Sequence, residues 1–154
     1  MASKAGTGKN LCHCTALRKA TRRVSQLYDS ALEPYGLRIT QRAILNQIAR
    51  SGEPMVGELA EALVMDRGGL AHNLKPLERD GLVEIRPDPK DRRNRLVALT
   101  AAGRKKLEET AAAWKQAQDG FEHAFGVAKS PSLRKALELI ISDEFAAAFQ
   151  ASGG

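Results

Sequence analysis

The chain of 154 residues is long enough for one domain with extensions, and 43% hydrophobic with 27% charged residues is the balance of a globular protein. No apolar run approaches the roughly 18 residues that span a membrane, and two cysteines make no disulfide framework, so neither class is expected. The net charge of +6 is uneven, with nine Lys and Arg against two Asp and Glu in residues 1–50 but eight against nine in 51–100, so an anionic partner of the middle third must be met by a local display of charge.

The N-terminal MASKAGTGKN is small, polar and basic with no apolar stretch behind it. No secretory leader is expected there, the protein is expected in the cytoplasm, and residues 1–10 are expected to be disordered. From Leu11 to Leu32, Leu17, Val24, Leu27 and Ala31 recur at helical spacing, and Pro34 and Gly36 end the helix. Cys12 and Cys14 flank His13 at its start. With Asn10 as N-cap, Cys12 falls in the first turn, where the helix dipole and Lys9 favour a thiolate, which makes the pair a candidate redox sensor. Positions i and i+2 project about 200° apart on a helix, which suits neither one metal nor an intrachain disulfide. A disulfide between subunits or a sulfenic acid fits better, and the plain alternative is one buried small hydrophobe and one idle thiol.

Thr40 is the expected N-cap of a second helix carrying Ile44, Leu45 and Ile48, closed by Ser51-Gly52. Glu58 to Leu63 makes a short third helix with Leu59, Ala60 and Leu63 inward. Val64-Met65-Asp66 is the turn, Asp66 caps a fourth helix to about Asp80, and Gly81 supplies the left-handed stop. Two β-rich runs follow, Leu82 to Ile85 and Leu96 to Leu99, around a tip where Pro87, Asp88 and Pro89 favour chain reversal. The resulting hairpin carries Lys90, Arg92, Arg93 and Arg95 at or beside its tip. Thr100 then caps a long helix with Leu107, Ala111, Trp114, Phe121 and Phe125 along it. One last helix, Ser132 to Gln150, shows Leu133, Leu137, Ile140, Ile141, Phe145 and Phe149, and residues 151–154 are expected to be a disordered tail.

Short helices followed by a cation-tipped hairpin read as a winged helix-turn-helix at residues 38–100, so the expected class is mainly α with a small β-hairpin wing. The apolar stripes on the flanking helices, residues 11–37 and 101–150, exceed what such a module can cover, which predicts a homodimer through those helices. A two-fold dimer would set two reading heads about 34 Å apart on double-stranded DNA with a pseudo-palindromic site.

The run GELAEALVMDRGGLAHNLKPLERDGLVEIRPDPKDRRNRLVALTAAGRKKLEE resembles the multiple-antibiotic-resistance regulator (MarR) family, through ELAEAL, LERDGLV, DPKDRR and LTAAGRKKL. The resemblance implies a homodimeric winged-helix repressor that leaves DNA on binding a small aromatic ligand or on cysteine oxidation. It also implies that Asp91 braces Arg93 as the latter enters a minor groove, where arginine is drawn by the negative potential. Arg92 and Arg95 would lie near phosphates. In similar sequences the start of the fourth helix carries hydroxyl and Arg side chains, whereas this chain has Gly68, Gly69 and Ala71 there, leaving Arg67, His72 and Asn73 for bases and Lys75 for phosphate. The two glycines either admit phosphates close to the backbone or mark weakened base readout. In the second case the alternative is a non-specific architectural DNA-binding protein.

Arg18, Arg22, Tyr28, Tyr35 and Trp114 are the candidates for an effector pocket, because aromatic walls and a cation suit an aromatic carboxylate or an acyl-type ligand; each could equally be core or solvated surface. No enzyme is expected, since the chain lacks a Gly-rich phosphate loop, a nucleophile elbow and a metal-spaced cluster, and His13, His72 and His123 are scattered. No cofactor or metal is expected.

Overall fold

The computed structural model describes residues 12–153. In chain order it holds α1 (His13–Leu32), a 3-10 turn (Glu33–Tyr35), α2 (Ile39–Ser51), α3 (Val56–Ala62), α4 (Arg67–Arg79), β1 (Val83–Pro87), β2 (Arg95–Leu99), α5 (Ala101–Phe125), α6 (Ser130–Ile140) and α7 (Asp143–Ala151). The core lies where α2, α3, α4 and the hairpin converge. Ile44, Leu45 and Ile48 of α2 meet Leu59 of α3, Leu70, Leu74 and Leu77 of α4, and Val83, Val97 and Leu99 of the strands. Burying each such side chain stabilises the fold by about 2 kcal/mol. The expected class, mainly α with a two-stranded wing, is the one observed.

The helix starts show where local chemistry overrides the simplest reading. Thr40 does not cap α2. The helix begins at Ile39, whose amide donates to Asp29 Oδ1 at 2.7 Å, while Gln41 Oε1 accepts from the Arg38 amide. A carboxylate from α1 thus satisfies the free amide and fixes α2 against it. α3 begins at Val56, ahead of Glu58, because the Glu58 carboxylate reaches back to the Met55 amide at 2.9 Å. Asp66 and Thr100 do cap α4 and α5, accepting from the Gly69 amide at 2.7 Å and the Gly103 amide at 3.0 Å. Gly81, at φ 72°, lets the chain leave α4 for the hairpin.

β1 and β2 are antiparallel in the register Val83 to Leu99 through Pro87 to Arg95. The α2–α3 loop adds a partial third edge, since Pro54 O accepts from the Val97 amide at 2.9 Å and Met55 pairs with Leu96. Arg86 forms an ion pair with Glu53 of the same loop. The hairpin base is pinned on its other side to α5. Leu82 O accepts from the Thr100 amide, Thr100 Oγ1 donates to Gly81 O at 2.6 Å, and Gly103 packs with no room for a side chain: a Cβ there would lie 2.1 Å from Leu82 O.

The last helix of the chain is two helices, not one. Ser142 interrupts it, its hydroxyl donating to Leu139 O at 2.7 Å and accepting from the Phe145 amide at 3.2 Å, so it closes α6 and opens α7. Hydroxyl competition with the backbone explains the break. Ala151, expected in the tail, belongs to α7, and the Ser152 hydroxyl donates to Ala148 O at 2.8 Å. The expectations for residues 1–10, including an Asn10 cap, lie outside the described residues; in α1 the N-cap position is held by Cys12.

Candidate nucleic-acid interface

The hairpin tip is built by short-range hydrogen bonds. The Asp88 amide donates to Asn94 O, the Asn94 amide to Asp91 O and the Lys90 amide to Asp88 Oδ1. These bonds close the turn that Pro87 and Pro89 favour. They also hold Asp91 beside Arg93, whose Nε donates to Asp91 Oδ1 at 3.0 Å and whose Nη2 donates to Oδ2 at 2.9 Å. The bidentate pair fixes the guanidinium plane while leaving the Arg93 side chain 90% exposed. The Arg93 side chain and amide hold the Asp91 carboxyl below the usual carboxylate range, and Asp91 raises the Arg93 guanidinium in turn. Lys90, Arg92 and Arg95 are exposed around this pair. The tip therefore presents a cluster of exposed cations with one arginine set in orientation.

On α4, Leu70, Leu74 and Leu77 face the core. At about 100° per residue the opposite arc holds Gly68, Ala71, His72, Lys75 and Arg79, while Arg67 and Glu78 flank the core stripe; all seven are exposed. Asn73 is off this arc. It is half-buried beside the core stripe, and its Nδ2 donates to Gly69 O at 2.8 Å. Reading a base with Asn73 would require breaking that bond and turning the side chain across the helix. Arg67 lies back along α3, its Nη2 3.2 Å from where a Cβ of Gly57 would stand. Cβ atoms at Gly68 and Gly69 would come within 3.2 and 3.1 Å of the capping Asp66 carboxylate. Pro76 lies inside α4, which continues past it to Arg79.

The five effector-pocket candidates do not converge. Arg18 and Arg22 are exposed on the N-terminal half of α1, about 15 Å along the axis from Tyr28 for the former. The Tyr28 hydroxyl donates to Gln118 Oε1 at 2.8 Å, and burial followed by the charge of Glu122 pushes its pKa up. Tyr35 is half-buried, with its carbonyl accepting from Lys106 Nζ. Trp114 is the floor beneath Arg42, whose guanidinium carbon lies 4.8 Å from the ring centroid.

Arg42 is the residue that pattern reading passed over. It is 91% buried between α2 and α5, and its Nε donates to Thr110 Oγ1 at 3.1 Å. Burial lowers its pKa, and among the described residues it has no carboxylate partner. The available signal was its position three residues before Leu45 on the buried face. Two clefts border α1, and only the first reaches the winged module. One, of about 530 Å³, runs between α1, α2 and the end of α4 past Asp29, Arg38, Gln41, Pro76 and Arg79. The other, of about 750 Å³, lies between α1 and α5 and is walled by Val24, Leu27, Ala117, Phe121 and Phe125.

Cys12 and Cys14 are free and exposed. The Cys12 thiol faces the Thr15 amide and hydroxyl and the Cys14 amide, which hold it below the ordinary thiol value. Among the described residues no group of three His, Cys, Asp or Glu is placed to hold a metal, and no helix is long and apolar enough to cross a membrane.

This geometry has known counterparts. The sequence profile of the MarR family matches residues 35–94. A transcriptional regulator of M. tuberculosis, MOSR, solved in complex with DNA, is 31% identical and superposes with a TM-score of 0.80 over 89% of this chain and 98% of its own. CouR of Rhodococcus jostii, solved bound to p-coumaroyl-CoA, is 26% identical with a TM-score of 0.71 over 83% of this chain and 90% of its own. The transcriptional activatory protein BadR of Rhodopseudomonas palustris is 40% identical over 77 residues, which is 48% of this chain and 44% of that protein.

Proposed function

Since the chain belongs to the MarR family of DNA-binding transcriptional regulators, we propose that it acts as a homodimeric repressor whose grip on a two-fold operator is released by a small effector or by oxidation of Cys12. The observation that carries the DNA reading is the exposed Arg93 fixed in plane by Asp91 at a cationic tip. Such an arginine enters a narrow minor groove with its orientation already set, reading shape and leaving base identity to α4. Lys90, Arg92 and Arg95 add phosphate contacts, and His72, Lys75 and Arg79 face the major groove from the exposed arc of α4.

Dimerisation is supported by where the apolar surface is. Every exposed large hydrophobic among the described residues except Val64 lies on α1 or between Phe125 and Phe149. Several hundred Å² of such surface is not left in water on a monomer. Release follows from the clefts: a ligand lodged between α1 and the end of α4 would change their angle and hence the spacing of the two heads. CouR's bound acyl-CoA favours an acyl-type or aromatic effector here as well. The bare arc at Gly68 and Ala71 favours a second reading, an architectural binder with little base preference. Titrating labelled duplexes with competitor DNA at fixed salt separates the two: a repressor prefers its site by about tenfold or more, and parity would establish the architectural reading.

A further inference from the structure

α5 holds the winged module at two levels. At the first, Gly103 lies against Leu82 O, where a Cβ would stand 2.1 Å away, and the Thr100 amide donates to the same oxygen. The second lies higher on α5, at Thr110 and Trp114, roughly 10 and 17 Å further along the axis. There Thr110 Oγ1 accepts from Arg42 Nε at 3.1 Å, and the Trp114 ring centroid lies 4.8 Å from the Arg42 guanidinium carbon. One level alone would let the module pivot about it. The second fixes the angle.

Helices ordinarily pack through apolar stripes, whose attraction has no direction. Here Lys106, Thr110 and Trp114, four residues apart on one face of α5, make directed contacts instead. Lys106 Nζ donates to Tyr35 O at 3.2 Å, while the Thr110 hydroxyl that receives Arg42 donates in turn to Lys106 O at 2.9 Å. Thr110 is fully buried, Arg42 nearly so, and among the described residues no carboxylate answers the charge. Such a guanidinium adds little stability, since an apolar side chain of similar volume commonly does as well or better. What it supplies is direction: a planar fork bonded at Nε and set over a ring has one orientation, and an apolar side chain has many.

We propose that Arg42 is a positioning residue for DNA binding: its contacts with Thr110 and Trp114 set the angle of the winged module on α5, and with it the half-site spacing that the two reading heads accept. This rests on the dimeric reading above and adds the side chain that holds the spacing. Arg42 is buried and belongs neither to the cationic tip nor to the exposed arc of α4, so it acts on DNA through this angle alone.

The test uses the full chain and a duplex selected from genomic fragments, with one base pair inserted or removed between its half-sites. Each change moves the half-sites by about 3.4 Å and about 35° relative to one another. Affinity is read by fluorescence anisotropy at fixed salt, folding by circular dichroism and chains per duplex by sedimentation velocity. The parent should lose at least about tenfold in affinity on either change, because a stiff joint makes the duplex absorb the misfit. Arg42→Met should stay folded and dimeric with the parent's salt dependence, yet lose less than about threefold on the same changes. Arg42→Lys keeps the charge without the planar fork and should behave as Arg42→Met does, so either variant decides the matter if the other fails to fold. A parent indifferent to spacing, or bound as one chain per duplex, would overturn the two-headed dimer itself. A sharp parental optimum kept by either folded variant would overturn the role of Arg42 alone.

Discussion

Gly103 is the point where the wing's base and the long helix share space, and replacing it with alanine tests how they are joined. A Cβ there would stand 2.1 Å from Leu82 O and 3.1 Å from both the Leu82 carbonyl carbon and Leu99 Cδ2. An acceptable carbon–oxygen contact is about 3.3 Å, so α5 and the strand junction must separate by about 1 Å. That movement strains the bond from the Thr100 amide to Leu82 O and the one from Thr100 Oγ1 to Gly81 O. Overpacking costs roughly 1–3 kcal/mol and a weakened hydrogen bond up to about 1 kcal/mol. Alanine's better helix propensity offsets about 1 kcal/mol. The net loss is about 2 kcal/mol, roughly 4–8 °C in Tm for a chain of this size. Thermal unfolding followed by circular dichroism measures it, at fixed protein concentration because a dimer's Tm varies with concentration. DNA affinity should fall as well, since the hairpin is re-aimed. A Gly103→Ala protein as stable as the parent would refute the close approach on which the wing's placement rests.

Arg93→Ala should weaken binding to most duplexes and lower the slope of log affinity against log salt by about one, read by fluorescence anisotropy; a change confined to one sequence would assign it to base reading instead. Asp91→Asn should weaken binding less, because the arginine remains but its plane is free. The folded pKa of Asp91 is depressed, so the brace is complete above the ordinary carboxylate value of about 3.9 and is lost only as pH falls through the lower folded value. Affinity should therefore show no titration from Asp91 between about pH 5 and pH 8, and an NMR midpoint for its carboxyl inside that range would contradict the bidentate geometry. Asn73→Ala should leave base preference unchanged in a selection experiment, as Asn73 is bound to Gly69 O. Cys12 should alkylate faster than Cys14 at neutral pH by mass spectrometry, and equal rates would remove the reason to assign sensing to Cys12.

What the sequence made legible was what depends on near neighbours. Asp66 and Thr100 serve as caps, Gly81 supplies the stop, and the Asp91–Arg93 pair, two residues apart, closes within one turn. What escaped depends on residues distant in sequence. The carboxylate that starts α2 comes from Asp29, ten residues earlier on another helix, so Thr40 looked like the cap. Arg42 finds Thr110 and Trp114 across the fold, and a charged residue within an apolar helix reads as surface until its partner is known. Asn73 has the side-chain chemistry of a base reader, while helical geometry sets it beside Leu70 and Leu77. Apolar spacing carried Ser132 to Gln150 as one helix because one serine barely disturbs a hydrophobic stripe, yet its hydroxyl ends α6.

The most direct measurement is the stoichiometry and preference of the protein on duplexes selected from genomic fragments, by sedimentation velocity with labelled DNA at fixed salt. Two chains should bind each selected duplex, with a preference of about tenfold or more over random DNA that Arg93→Ala lowers in absolute affinity. One chain per duplex, or no binding even in dilute salt, would contradict a paired set of arginine-tipped wings on DNA.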